Sequence, residues 1–277
     1  MPELPEVETV ARGLDRYVPG RIVERVVVRR RDIFRPASMR GKVLEGVKIL
    51  HVERVGKNIV VRCSAGLSMV VNLGMTGRLL FSESGIFPDE FSSRHLHVRI
   101  LCTAGGELWY HDPRRFGSIL ITSEHDIARL LGLGEDPFEM KTKTFRTLLS
   151  RRRAPIKSLL LNQKLISGMG NIYIDEALFY AGVHPSIPAR KAAPRARELL
   201  SAARTILRRA IRSGGTTVRD FRTADGSNGY FQQKLAVYGR DGDSCVRCKS
   251  VIRKIRVAGR GTHFCPACQP VVNRPEE

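Results

Sequence analysis

The first residues of the chain, Pro2 and Glu3, can do chemistry that needs neither metal nor cofactor. Once Met1 is removed, Pro2 presents a secondary amine. An α-amino group titrates near ~8, against ~10.4 for a lysine side chain, so it is uncharged more readily. Such an amine attacks electrophilic carbon and forms an iminium with an aldehyde, and Glu3 beside it can move protons. Pro5 suits the first turn of a helix, with Glu6 and Glu8 near its positive end. Val7, Val10, Ala11, Leu14 and Val18 follow at helical spacing, which pins the terminus to a core. Taken alone, Pro2 and Glu3 also read as a frayed, solvated end.

The other residues with chemical spacing lie far along the chain. Cys245-x2-Cys248-x16-Cys265-x2-Cys268 fits four thiolates around one tetrahedral zinc. Four protein ligands fill the shell, so the metal is expected to be structural. Between the knuckles, 252–257 and 262–264 read as a hairpin turning at Gly259-Arg260-Gly261, with Arg260 at its tip. Leu165-Ile-Ser-Gly-Met-Gly-Asn-Ile-Tyr173 puts a glycine turn before a helix, a backbone anion site. Asn171 is placed to cap that helix and to reach a phosphate. Gly56-Lys57 falls at a hairpin turn. Met75 and Phe116, with Arg114 beside the latter, sit at strand-to-loop passages, where apolar wedges can open a base stack. Ordinary core packing is the alternative for Met75 and Phe116.

These residues require a scaffold. Segments 22–30, 43–55, 58–63, 67–73, 78–82, 96–102, 107–111 and 117–122 read as strands, which suggests a β-sandwich or flattened barrel behind the first helix. Leu130–Pro137 breaks the pattern. Helices are expected over 143–152, 155–163, 171–181 and 194–213, with the glycine turn before 171–181 making a helix–two-turn–helix candidate. The expected class is α+β and multidomain: an N-terminal helix plus β-sandwich over 1–133, a helical helix–two-turn–helix domain over 134–226, and a zinc-binding β-hairpin segment over 227–277.

Charge indicates the partner. Lys and Arg number 47 against 27 acids, a net +20 with pI near 10.4, and such a surplus points to a polyanion, most simply nucleic acid. Residues 141–174 carry eight cations before Asp175, with no acid among the first thirty-four of that stretch. No apolar run is long enough for a bilayer and no secretion leader is visible, so a soluble, cytoplasmic protein is expected; its charge suggests association with the nucleoid, and with no oligomerisation motif visible a monomer is expected. Cys63 and Cys102, alone in strand-like segments, read as buried reduced thiols.

Together these motifs resemble the bacterial formamidopyrimidine-DNA glycosylase family, the 8-oxoguanine DNA glycosylase/AP lyases. The carrying residues are Met1–Thr9, Gly56-Lys57, Leu73–Met75, Asp112–Gly117, Gly168–Tyr173, Gly215–Phe221, Val237–Arg240 and the zinc segment. The resemblance implies Pro2 as nucleophile at C1′, Glu3 as general acid/base, Lys57 in β-elimination and Arg260 in δ-elimination. It implies Met75, Arg114 and Phe116 as the triad that fills the void of the flipped base. His95, Arg152, Lys157, Asn171 and Tyr238 are implied DNA contacts. Thr216, Thr217, Val218, Arg219, Asp220 and Phe221 form the implied lesion loop. The implied substrate is double-stranded DNA with oxidised purines or abasic sites, with one structural zinc and no organic cofactor. Three positions depart from the pattern: Asn72 for the usual histidine, Gly261 for serine and Lys249 for glycine. Two other readings remain open: an endonuclease VIII-like enzyme of oxidised pyrimidines, which the Leu4-Pro5 opening and the 216–221 loop disfavour, and a silent DNA-binding zinc protein.

Overall fold

The computed structural model describes residues 1–89, 91–215 and 231–271. The described residues of 1–131 and 210–232 form one compact unit, and those of 132–209 and 233–277 a second.

The first unit opens with α1 (Leu4–Asp15), whose Leu4, Val7, Val10, Ala11 and Leu14 are buried at helical spacing. Behind it stand two four-stranded antiparallel sheets. One runs β1 (Val23–Val28), β6 (Leu96–Cys102), β7 (Glu107–His111), β5 (Arg78–Ser82). The other runs β2 (Ile49–Val55), β3 (Asn58–Cys63), β4 (Ser68–Asn72), β8 (Ser118–Thr122). Alternate residues of both sheets, among them Val26, Ile59, Val61, Val71, Val98, Leu108 and Ile119, share one core with α1. A sandwich, not a closed barrel, results. Full burial of each such aliphatic side chain contributes roughly 1.5–3 kcal/mol, so α1 is held by several of them. The opposite face of β3 and its neighbours is not open to solvent. Val60, Val70 and Leu120 pack with Ile127 of α2 (Ile127–Leu130), which is why β3 reads as an almost unbroken apolar run.

Residues 43–55 are not one strand. Gly41–Leu44 is a 3-10 turn, the chain turns again at Gly46 with φ +82°, and pairing begins at Ile49.

The second unit holds α3 (Thr142–Ser150), α4 (Ile156–Leu161), α5 (Asn171–Ala181), α6 (Ala189–Ala192) and most of α7 (Ala196–Arg212). The long helix expected over 194–213 is preceded by α6 and a 3-10 turn at Ala193–Arg195. Nearly all of α5 is buried, and α7 turns Leu199, Leu200, Ala203, Ile206 and Leu207 inward. The hairpin of β9 (Arg253–Val257) and β10 (Arg260–Phe264) belongs to this same unit. Phe179 of α5 shares a core with Ala236, Val237, Cys245, Ile252 and Cys265. The zinc segment is too short for a core of its own, so it uses the helices' core.

Among the described residues no helix is long and apolar enough to cross a membrane.

Candidate functional site

In the first unit the chemistry begins at a helix start. Glu3 is the N-cap of α1, and its amide donates to Glu6 Oε2 at 2.8 Å within a reciprocal capping box. Pro2 is buried, Glu3 is 4% exposed and Glu6 2%, so this end is packed rather than frayed. From sequence Glu6 reads as an acid in the helix field, and the box is not legible because its usual first residue is serine or threonine. Gly215 presses against Glu6: a Cβ there would lie 3.0 Å from the Glu6 side chain. Gly215 O also accepts the Phe231 amide at 3.0 Å. Residues Thr216, Thr217, Val218, Arg219, Asp220 and Phe221, implied as the lesion loop, lie outside the described residues.

Lys57 occupies a two-residue turn, since Val55 pairs with Asn58 and Gly56 takes φ +61°. Arg54 fastens this turn to α1: its guanidinium donates to Glu8 Oε2 at 2.8 Å and to Gly56 O at 3.2 Å. Asn58 closes the turn from inside, donating to Val55 O at 3.1 Å.

Met75 and Phe116 are exposed, at 42% and 57%, which removes core packing as the reason for them. The Arg114 guanidinium lies over the Phe116 ring at 4.5 Å. Their loops touch backbone to backbone. A Cβ on Gly74 would lie 2.4 Å from the Phe116 carbonyl carbon. Asp112, fully buried, joins them: Oδ1 accepts Thr76 Oγ1 at 2.5 Å and Arg114 N at 3.3 Å, while Oδ2 accepts Gly117 N at 2.9 Å and Tyr110 OH at 3.2 Å. Burial, then the Asp112 charge, pushes the Tyr110 phenol up, so it stays a donor. In the sequence Asp112 is one residue of the Asp112–Gly117 motif with no legible task; a buried carboxylate is visible only once the strands are paired. His95 sits half-buried as the last residue of the 3-10 turn Ser93–His95, directly before β6, where its carbonyl accepts the Asp112 amide at 3.0 Å. Partial burial and then the adjacent Arg94 hold its imidazole below the usual histidine range. Its edge meets His111, which burial and Arg78 push down to about 4.

In the second unit the four cysteine Sγ atoms all lie within 4.8 Å of one another. Cys245 and Cys268 Sγ are 3.9 Å apart and Cys248 and Cys265 3.4 Å. Tetrahedral zinc with bonds near 2.3 Å requires sulfurs about 3.8 Å apart, so the set fits one structural zinc. Lys249, after the second cysteine, holds φ +66°. That left-handed geometry favours glycine, and lysine takes it here against local preference.

The hairpin turns one residue earlier than expected. Val257 pairs with Arg260, and Ala258 and Gly259, both at positive φ, make the turn. Arg260 is therefore the first residue of β10, exposed, and not a tip residue.

Asn171 does not cap α5. Gly170 is the N-cap, and the Asn171 amide donates to Gly261 O at 3.0 Å. Its Oδ1 is buried without a hydrogen-bond partner among the described residues. Lys157 is not at the surface. It is fully buried, its ammonium on Asp175 Oδ1 at 2.6 Å and Gly261 O at 3.1 Å. Its ammonium thus ties the start of β10 to α5, in place of the surface position expected of it. Asp175 completes the support by accepting the His263 amide at 2.9 Å. Glu176, also missed, accepts the amides of Ala236, Val237 and Tyr238 at 2.9–3.0 Å. Tyr238 is half-buried against His263, and Arg152 is exposed. Sequence spacing offered one signal for this layer, the acidic pair Asp175-Glu176 inside an otherwise apolar helix.

Three family models match in order along the chain: Formamidopyrimidine-DNA glycosylase N-terminal domain over 1–119, Formamidopyrimidine-DNA glycosylase H2TH domain over 133–222, and Zinc finger found in FPG and IleRS over 242–271. A curated Formamidopyrimidine-DNA glycosylase of Solibacter usitatus is 42% identical over 97% of this chain and 99% of its own length. Among solved structures, a Lactococcus lactis FPG mutant in complex with a Fapy-dG containing DNA aligns with TM-score 0.87 at 32% identity, over 97% of this chain and 100% of that one. The Lactococcus lactis Fpg with an abasic site containing DNA aligns with TM-score 0.85 at 32% identity, over 96% and 99%.

Proposed function

The chain belongs to the formamidopyrimidine-DNA glycosylase family, DNA repair glycosylases with AP lyase activity, and from that premise we propose that it excises oxidised purines, 8-oxoguanine and formamidopyrimidines, through Pro2. The observation that carries the reading is the buried capping box, which holds Pro2 and Glu3 at the positive end of α1. The helix dipole opposes a positive charge on the Pro2 amine and so favours the nucleophilic free base, while the Glu3 and Glu6 carboxylates act in the other direction and supply the proton acceptors beside it. The solved relatives bound to Fapy-dG and abasic DNA support the substrate class.

A base taken out of the stack exposes C1′. The Pro2 nitrogen forms a bond to C1′ as the bond from C1′ to the base breaks, with the electron pair leaving on the base. Glu3 moves the protons. Opening of the sugar ring gives an iminium, which acidifies C2′–H. Loss of that proton expels the 3′ phosphate, and Lys57 is placed in this step. A second elimination expels the 5′ phosphate, with Arg260 assigned to it. Met75, Arg114 and Phe116 fill the vacated stack. Arg152, His95, Asn171 and Tyr238 are assigned to the DNA backbone, and Lys157 to support of the hairpin.

Borohydride added to the protein with an 8-oxoguanine·cytosine duplex tests this. Protein beginning at Pro2 is expected to give a covalent adduct. The same chain with one residue left before Pro2 is expected to bind the duplex and give none, because an amide cannot form the iminium. An adduct from the blocked protein would overturn the role of Pro2, and no adduct or scission from the zinc-loaded, Pro2-initiated protein would overturn the enzyme reading.

A further inference from the structure

The Lys57 turn and the Met75 loop are far apart in sequence, yet a line of side-chain amides joins them. Asn58, 4% exposed, donates from Nδ2 to Val55 O across the turn. Its Oδ1 accepts Asn72 Nδ2 at 3.1 Å, and Asn72 Nδ2 also reaches Lys57 O at 3.4 Å. Asn72 Oδ1 then accepts the Gly74 amide at 3.0 Å. Gly74 is the residue whose backbone meets that of Phe116 and Gly117, and Gly117 N is bound by Asp112. Asn72 ends β4 directly opposite Asn58, so both members project at one end of the sheet with fixed register.

We infer that Asn72 is a positioning residue that locks the Lys57 turn to the Met75–Phe116 wedge loops, so that opening of the stack and strand scission are set by one element. The inference rests on the roles proposed above for Lys57 and Met75. The physical argument is directional. A primary amide offers donors on one atom and an acceptor on the other. Asn72 uses the donor end on the lysine turn and the acceptor end on the wedge loop, and no hydrocarbon or acid of the same size can do both. Replacement by alanine leaves Asn58 Oδ1 and Gly74 N without this partner next to buried strands, and the two loops become independent. Asp32 and Arg115 form an ion pair on the Phe116 loop, at 2.6 Å, but that pair is solvent-exposed and does not touch the lysine turn.

Three measurements on Asn72→Ala separate positioning from general damage. Trapping on a single-stranded abasic oligonucleotide needs neither wedge nor lysine and is expected to stay within about twofold of wild type. Opening of a lesion-containing duplex, read by 2-aminopurine fluorescence opposite the lesion, and scission of a duplex abasic site are each expected to fall about tenfold, the worth of one part-buried hydrogen-bond junction of ~1.4 kcal/mol. Asn72→Asp keeps the acceptor for Gly74 N and loses the donor, so opening is expected to persist while scission falls. Asn58→Ala combined with Asn72→Ala is expected to be no worse than the poorer single variant, because both remove the same junction. Opening and scission both unchanged in Asn72→Ala, or all three signals falling together, would overturn the inference. Wild-type protein that traps nothing overturns the enzyme reading instead. The junction is then read from the Met75 ε-methyl NMR signal, assigned with Met75→Leu, and a signal unshifted in Asn72→Ala overturns it.

Discussion

Lys157 and Asp175 show how burial changes the task of a charged residue. Both side chains are fully buried, with the ammonium on the carboxylate at 2.6 Å and on Gly261 O at 3.1 Å. Removing one member of such a pair leaves an uncompensated buried charge, which costs about 3–5 kcal/mol, whereas replacing both by apolar groups is often neutral. Lys157→Met is therefore expected to lower the urea-unfolding stability of the protein by about 3–5 kcal/mol, and Lys157→Met with Asp175→Leu to recover much of it. If Lys157 were a phosphate ligand, the single variant would leave stability unchanged and weaken DNA binding alone. Its position in a run of cations gave no sign of this. The run has no acid up to Tyr173, but Asp175 lies one turn into α5 and faces the same interior.

At the scale of the element, the loops that carry Met75 and Phe116 meet by a close backbone approach. Gly74 at φ +58° lies where a Cβ would meet backbone at 2.4 Å, while Gly20 at φ +89° has nothing within 4 Å. Left-handed strain alone costs about 1–2 kcal/mol for a residue with a side chain. Gly20→Ala is expected to lose about that much stability and keep duplex opening. Gly74→Ala has to displace the Phe116 carbonyl as well, and opening of the lesion duplex is expected to fall well beyond the effect of Met75→Ala. Equal behaviour of the two glycine variants in the fluorescence assay would show that the close approach of the loops is unimportant. The hairpin gives the same lesson about turns. Gly259-Arg260-Gly261 looked like the turn because glycines punctuate sequence, but Ala258 and Gly259 take the positive φ values and Arg260 begins the strand.

For the whole molecule, the excess of cations is its broadest functional property. With net charge +20, binding to duplex DNA is expected to follow counterion release, losing about 10³–10⁵-fold between 50 and 200 mM salt if 6–10 phosphates are contacted. A flat dependence measured by fluorescence anisotropy would exclude the basic faces as the source of affinity. Much of this was legible from sequence, because it depends on residue type and local spacing: the four cysteines, the helical apolar stripe behind Pro5, the Gly56-Lys57 turn and the strands β3 to β8. The long-range partners were not. The Arg54–Glu8 tie, the Thr76–Asp112 bond, the Asn58–Asn72 line and the burial of Lys157 each depend on two segments meeting, whereas the Glu3–Glu6 box is local and is hidden only by a glutamate where serine or threonine is usual. A buried polar group is tolerated only where its partner is supplied, and the sequence names the group without naming the partner. The sequence by itself determined which groups can react, bind zinc and attract a polyanion. Tertiary structure alone decided which of them are held rigid, which are exposed and which are buried as supports, because strand register and helix packing set the distances over which hydrogen bonds and ion pairs form.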